Sequence, residues 1–408
     1  LSDVAGSAGG PARHCAALPA DPPFYAIWNE RLAPFELAPL AAVSLFCDDV
    51  ITPFAEQVVT SRQAMPKSIV RQWAKLGMTG IQTPRDLGGQ GASYFAKIRV
   101  AQELARRSFA CAFSLNNIQS LVWMIATRAS EEVRSMYLDG LLRGELVASI
   151  ALTEPGGGSD LAAVKTTARK VDGGWRLSGQ KAWVTNATIS DLMVVAAQTA
   201  SGTKGIGRFV VDMKADGVAL EPAHALTTGH AIGLGGVRLD EVFVADACLM
   251  DAPGAGFKLT MVNINGARVH VAAMCVATLE ASLGIAIRYC SERRAFGKSL
   301  LEHQGLRWKL ADVASQLEAA NMLVYRASEL IHKDQDATLA AAHAKKVAAS
   351  VAVAGVEICM QTMGAAAVLE PLPLARHLAE LKLAGYADGT SEIQDERIGS
   401  YLLNHYGA

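Results

Sequence analysis

No charge of either sign dominates this sequence. Its 38 Lys and Arg stand against 39 Asp and Glu, so it carries no electrostatic footprint for nucleic acid. Near-neutrality also leaves self-association unopposed. Charged residues are scarce, 19% against 51% hydrophobic, which excludes a mainly disordered chain and supplies a sizeable core. Cysteine is sparse as well. Seven are scattered (Cys15, Cys47, Cys111, Cys248, Cys275, Cys290, Cys359), an odd number with no C-x-x-C pair. Neither a disulfide framework nor a zinc site is expected, and the thiols read as reduced, mostly buried small hydrophobes of a cytoplasmic protein. The longest apolar stretch, 269–287, is broken by His270 and Glu280 and followed by Arg288, so it reads as a buried core helix, and no membrane association is expected. Residues 1–20 have no charged segment leading into a long apolar run; they are rich in Gly, Ala and Pro, and 1–24 is expected to be a flexible tail, not a secretory signal. G-x-S-x-G and a usable G-x-G-x-x-G are absent, and His224, His230, His270, His343 and His377 form no i, i+4 pair. No metal and no serine-hydrolase role is assigned.

What is present changes its period along the chain. A length of 408 residues exceeds what one core usually serves, so two or three domains are expected. Residues 25–146 read as helical: 43–50 and 69–76 carry apolar residues at spacings of three and four, Pro53 and Pro84 punctuate, and 84–91 is a Pro- and Gly-rich loop. A helix is predicted over 97–108 with Glu103, Arg106 and Arg107 facing outward, followed by an unusually apolar helix over 109–126. Between 147 and 253 the period shifts towards two. Strands are predicted over 147–153, 175–183, 192–198, 207–212, 218–222 and 236–244, a small β domain with no strand–helix alternation. From 254 to 408 the chain is helical again, with long helices over 257–291, 303–333, 337–364 and 374–384 and a final one from Ser391. The fold class is therefore α+β and multidomain: an N-terminal helical domain, a middle β domain and a C-terminal helical bundle.

One stretch organises the rest. Residues 151–160 read A-L-T-E-P-G-G-G-S-D and residues 181–186 read K-A-W-V-T-N. Between them Val171-Asp172-Gly173-Gly174 is a tight hairpin turn, since Asp-Gly and Gly-Gly supply positive φ. The returning strands are expected to bring Thr153, Ser159, Trp183 and Thr185 to one wall of hydroxyls, freed backbone and a flat indole, suited to a planar, phosphate-bearing ligand. In this order and spacing the two runs resemble the flavin-binding segment of the acyl-CoA dehydrogenase family. The resemblance extends over nearly the whole chain after about residue 40 and implies that family's architecture of two helical domains flanking a β domain. It implies FAD as cofactor, contacted by Ile150, Leu152, Thr153, Gly158, Ser159, Trp183, Val184 and Thr185, with Ser159 also near the substrate. In the family, the region corresponding to 109–126 lines the acyl pocket.

The C-terminal half carries three further matches. S-E-R-R-A-F-G-K over 291–298, followed by His303 and Gln304, is similar to the family's E-R-x-x-F-G-K and H-Q. Arg293, Ala295, Phe296 and Gln304 would then reach the FAD of a neighbouring subunit, which implies a homo-oligomer, a dimer of dimers. Residues 361–367, Q-T-M-G-A-A-A, stand where the family has Q-x-x-G-G-x-G, with Ala365 and Ala367 in place of glycine; Gln361, Gly364 and Ala365 would meet the cofactor. Residues 385–394, G-Y-A-D-G-T-S-E-I-Q, resemble the segment whose Glu is the family's catalytic base. Asp388 falls at that position, keeping a carboxylate and shortening it by one methylene. Thr390 and Glu392 match flavin-contacting positions, and Asn265, Arg268 and Gly389 match the substrate side. Some members carry the base one residue before that Arg; Ala267 closes that route.

The implied reaction is α,β-dehydrogenation of an acyl-CoA or acyl-carrier-protein thioester. Asp388 would take the α-proton, hydride would pass from the β-carbon to flavin N5, and an electron-transfer flavoprotein or similar acceptor would follow. A same-fold oxidase of the nitroalkane-oxidase kind also uses an Asp base, but needs an Arg at a set spacing. Here the seventh residue after Asp388 is Asp395, and Arg397 comes two later.

Overall fold

The structure is a computed structural model and describes residues 22–251, 255–370 and 372–407; the expected tail lies, up to residue 21, outside the described residues. A 3-10 turn, Pro23–Tyr25, runs into α1 (Ala26–Asn29), and Tyr25 and Trp28 are fully buried. α2 (Pro34–Phe46) and α3 (Thr52–Ser61) follow. Pro53 does not interrupt them as expected: a π turn, Cys47–Ile51, joins the two. The wider turn accommodates a ring that would clash with the preceding turn and that lacks an N–H. After α4 (Lys67–Lys75), the helices α5 (Tyr94–Ala105), α6 (Phe109–Arg128) and α7 (Glu131–Leu142) each start at a serine whose Oγ accepts a main-chain N–H: Ser93 from Ala96, Ser108 from Cys111, Ser130 from Val133.

The outward face expected for Glu103, Arg106 and Arg107 is a buried one. Arg99 Nη1 lies 3.0 Å and Arg107 Nη1 2.7 Å from the Glu103 carboxylate. Arg106 also reaches Glu103 and continues to Glu280, while Arg107 continues to Asp48. Burial would raise the Glu103 carboxyl, but three guanidiniums hold it below its usual range. These four charges are paired inside the protein, with Asp48 and Glu280 reaching in from distant segments.

The seven-stranded sheet comprises β1 (Ala148–Ala151), β2 (Thr167–Val171), β3 (Gly174–Val184), β4 (Leu192–Gln198), β5 (Ile206–Asp212), β6 (Val218–Leu220) and β7 (Gly235–Ala245). β2 was not among the predicted strands. It forms the expected hairpin with β3, pairing Val171 with Gly174. The run from 151 to 160 is outside that hairpin, contrary to expectation: β1 pairs in parallel with β4. Its continuation returns to β3 through a main-chain bond, Ala182 N–H to the Thr153 carbonyl, 2.9 Å.

The remaining chain is a bundle: α8 (Gly256–Glu292), a small β8–β9 hairpin (Arg294–Ala295 and Lys298–Ser299), α9 (Gln304–His332), α10 (Thr338–Met363), α11 (Leu374–Ala384) and α12 (Ser391–Tyr406). Among the described residues, four helical segments are long and apolar enough to cross a membrane by length and composition alone. The most apolar windows of α8 and α6 are 83% and 78% buried in protein, those of Pro34–Ser61 and Thr338–Val368 only 28% and 39%. The described cysteines carry no disulfide, and five of the six are buried.

Candidate active site

A cavity of about 660 Å³ lies where α5 and α6, the end of β1 and α8 converge on the loop before α12. Ile150 and Leu152 form its sheet side, Asn265 and Ala267 its α8 side, and Asp388 faces it from the loop. With Ala267 on the wall, α8 offers no carboxylate there.

Asp388 adopts φ 53°, in the left-handed region. Asp and Asn tolerate that region better than longer side chains, so the local backbone favours the short acid. The loop around it is fastened from behind. Lys345 of α10, 1% exposed, donates from Nζ to the carbonyls of Ala387 and Gly389. Arg268 Nε donates to the Asp388 carbonyl at 3.1 Å, and buried Gln394 donates to that of Gly389 at 3.0 Å. Gly389, at φ 91°, sits so close that a Cβ would come within 3.0 Å of Gln394 Nε2 and 3.2 Å of Arg268 Nη2. Thr390 then caps α12, its Oγ1 accepting the Ile393 N–H.

These bonds consume main-chain oxygens, and the Asp388 carboxylate has no hydrogen-bond or ion-pair partner among the described residues. Burial raises its pKa above the usual range, while the nearby Lys345 and Arg268 cations limit the rise. Burial in turn lowers Lys345 to about 8 and Arg268 to about 10. The Asp388 N–H has no acceptor among the described residues. Asn265 serves as an orienter: its Oδ1 accepts from Arg268 and its Nδ2 donates to Thr338.

On the sheet side Trp183 is 55% exposed at φ 57°, inside a bulge of β3 between Lys181 and Val184. A tryptophan held open at a left-handed position is strained, and such strain persists where the surroundings enforce it. They do so through Lys181. Fully buried, it donates to the Leu152 carbonyl at 3.2 Å and to Glu154 Oε1 at 2.8 Å. Glu154 also accepts the Lys165 and Thr166 N–H groups and the Thr166 hydroxyl. Against the opposing effect of burial, these bonds pull its pKa down to about 2. The side chain of Val184 packs into the sheet core, so only its backbone can meet a ligand. Thr153 is half-buried, Thr185 is buried, and Gly158 and Ser159 lie in the outer turn. An exposed indole two residues from Lys181, whose side chain bonds the Leu152 carbonyl, offers a flat face that fits the ring system of FAD.

The cavity thus gathers Ile150, Leu152, Asn265 and Asp388, with Arg268, Gly389 and Thr390 directly behind. Arg293, Phe296, Gln304, Gln361, Gly364, Ala365 and Glu392 are instead exposed on the surface of this protomer, away from it, with Ala295 half-buried among them. Phe296 is 97% exposed and, with Gly297, forms a two-residue turn at φ 49° and 80°. Lys345, Lys181 and Glu154 were not assigned by sequence reasoning. The last two stand inside the quoted runs, and Lys345 is a cation on an alanine-rich helix, which was the available signal.

Three family models match the chain in order: the N-terminal domain of acyl-CoA dehydrogenase over residues 36–145, the middle domain over 149–242 and the C-terminal domain over 254–403. The chain is 32% identical over 361 residues to a 3-(aryl)acrylate reductase of Clostridium sporogenes, covering 88% of this chain and 96% of that one. It is 32% identical over 365 residues to the mitochondrial short-chain specific acyl-CoA dehydrogenase of Bos taurus, covering 88% of each. Its fold is similar to that of the butyryl-CoA dehydrogenase of Megasphaera elsdenii, with TM-score 0.86, 29% identity and coverage of 91% of this chain and 99% of that one. Solved relatives of this fold include FAD complexes.

Proposed function

The chain belongs to the acyl-CoA dehydrogenase family, and on that premise we propose that it dehydrogenates an acyl-CoA thioester at the α,β-position with Asp388 as the base. The observation that carries the reading is a carboxylate raised in pKa, unpaired, and facing a cavity, on a loop whose carbonyls are tied down by Lys345 and Arg268. A thioester acidifies its α-hydrogen, and a desolvated carboxylate is the stronger base for taking it. The unbonded Asp388 N–H is available to the thioester oxygen as charge develops there. FAD, bound against Trp183 and the Ile150–Leu152 edge, would supply the two-electron acceptor. Arg268, Asn265 and Gly389 act on this reading by positioning the base.

The same proposal includes a homo-oligomer, a dimer of dimers, in which Arg293, Phe296 and Gln304 complete the cofactor site of a second protomer. An aromatic ring held 97% exposed on a left-handed turn and the lightly buried apolar window of Thr338–Val368 favour a covering partner. An electron-transfer flavoprotein would take the electrons, and unpaired thiols suit a reducing compartment such as the cytoplasm.

The test is an anaerobic titration of the flavin-loaded protein with a panel of saturated acyl-CoAs, following the visible flavin band. Bleaching by at least one member, reversed by an artificial electron acceptor, is expected. A flavin that dithionite reduces but no thioester bleaches would overturn the reading.

A further inference from the structure

Where α5 and the α6 asparagines line it, the cavity is not the greasy slot that an unsubstituted alkyl chain needs. Lys97 of α5 lines it, 2% exposed. Its Nζ donates to Ser120 Oγ at 2.6 Å, and Ser120 in turn donates to the Asn116 carbonyl at 3.0 Å. An ammonium has three donors, so two remain without an acceptor among the described residues. No carboxylate among the described residues is within ion-pair reach of Lys97, although Asp334 and Asp336 line the same cavity, and burial alone lowers its pKa to about 7. Beside it His270, 4% exposed, leaves both ring nitrogens unpartnered. Burial and the neighbouring Lys97 keep that imidazole neutral, so one nitrogen is a further donor. Asn116 and Asn117 also line it, and their side-chain amides, the buried Oδ1 atoms included, have no partner among the described residues, so either amide can turn its NH2 to a ligand.

Three other buried cations have partners that hold them. Lys181 has Glu154, Arg208 has Asp251, and Lys345 has two carbonyls. A buried charge without a partner is costly, and a cluster of donors aimed at one space is a receptor for an acceptor-rich, negative group.

We propose that this part of the cavity receives a carboxylate at the far end of the acyl chain, so that the substrate is the monothioester of a dicarboxylic acid. The inference rests on the thioester-dehydrogenase reading above. It assigns Lys97 as a specificity-determining residue, with His270, Asn116 and Asn117 as accessory donors. An amine-bearing acyl group would meet the same cation and be rejected.

The experiment compares the flavin-loaded enzyme on the mono-CoA thioesters of glutaric, adipic and pimelic acid with alkyl-CoAs and ω-hydroxyacyl-CoAs of equal length. The best ω-carboxyl substrate should exceed its alkyl partner in kcat/KM by about tenfold to a hundredfold, the range a charge-assisted hydrogen bond supports. In Lys97→Met that ratio should fall by tenfold or more. Binding of the ω-carboxyl thioester at pH 8 should be accompanied by proton uptake, read by calorimetry in buffers of different ionisation enthalpy, because the carboxylate draws Lys97 back to its charged form. The alkyl thioester should take up none. Alkyl- or hydroxyacyl-CoAs preferred at every length, or no proton uptake, would overturn the inference and leave the dehydrogenase reading intact. Failure of every thioester to bleach the flavin would instead strike the reading on which it rests. The substrate comparison needs no variant, so it stands even where Lys97→Met does not fold.

Discussion

Two buried lysines meet two carboxylate-bearing segments in this molecule, and they are used in opposite ways. In the β domain Lys181 bonds the Glu154 carboxylate itself, and three further donors crowd the same oxygens. The acid is held ionised, with a pKa of about 2. In the helical domain Lys345 bonds the carbonyls on either side of Asp388 and leaves its carboxylate to the cavity, where burial raises the pKa. One acid is spent on architecture and the other is kept available. The difference lies in which oxygens the lysine takes.

The sharpest way to break this contrast is Asp388→Asn. Loss of a general base costs roughly 10²- to 10⁴-fold in rate, so kcat should fall by that order while FAD stays bound. Stability should not fall. A carboxyl whose folded pKa is raised above its usual 3.8 is most favourable to the fold below 3.8 and loses that contribution as pH rises through the raised value. At neutral pH the uncharged amide removes the cost. A denaturant titration showing the variant clearly less stable than the parent would make Asp388 a structural acid and erase the distinction.

Lys345→Met is the next test. It frees the carbonyls of Ala387 and Gly389 and lets the base loop shift, and a displacement of about 1 Å at a reacting group costs on the order of a hundredfold. A drop of about ten- to a hundredfold in kcat is expected. Removing the cation also removes the influence that limits the rise in the Asp388 pKa. The acid limb of the kcat–pH profile should therefore move to higher pH. An unmoved limb would mean that Lys345 only braces the loop.

Much of this was legible in the sequence, and the failures share a cause. The strand Leu192–Gln198 and the helix Leu374–Ala384 fall at the predicted residues, because continuous apolar runs and periodic leucines announce them. β2 escaped because of its five residues only Ala168 is buried, so no alternation exists to be read. Glu103 and its arginines have the spacing of a solvated face; their burial depends on Asp48 and Glu280, far away in the chain. The position of Asp388 was readable through resemblance, but its left-handed backbone and the lysine behind it were not. Those depend on which carbonyls α10 meets, and no local pattern encodes that.

Glu154→Gln has the smallest expected effect and tests the other half of the contrast. The amide keeps the shape and one acceptor oxygen, but it no longer neutralises a fully buried Lys181. A loss of about 1–3 kcal/mol, the range for a weakened buried hydrogen bond, is expected in the free energy of unfolding. In the parent protein the Glu154 contribution is fully present above its usual pKa near 4.5 and disappears as pH falls from there towards about 2. The gap between parent and variant in urea unfolding should thus be widest at neutral pH and close progressively below pH 4.5. Because the Lys181 bond to the Leu152 carbonyl survives the substitution, the edge beside Trp183 keeps a tether, and activity should change far less than in either helical-domain variant. A Glu154→Gln protein of normal stability but poor turnover would reverse the assignment: the sheet-side acid would then be part of the chemistry, and the two lysines would no longer stand for two different uses of a buried charge.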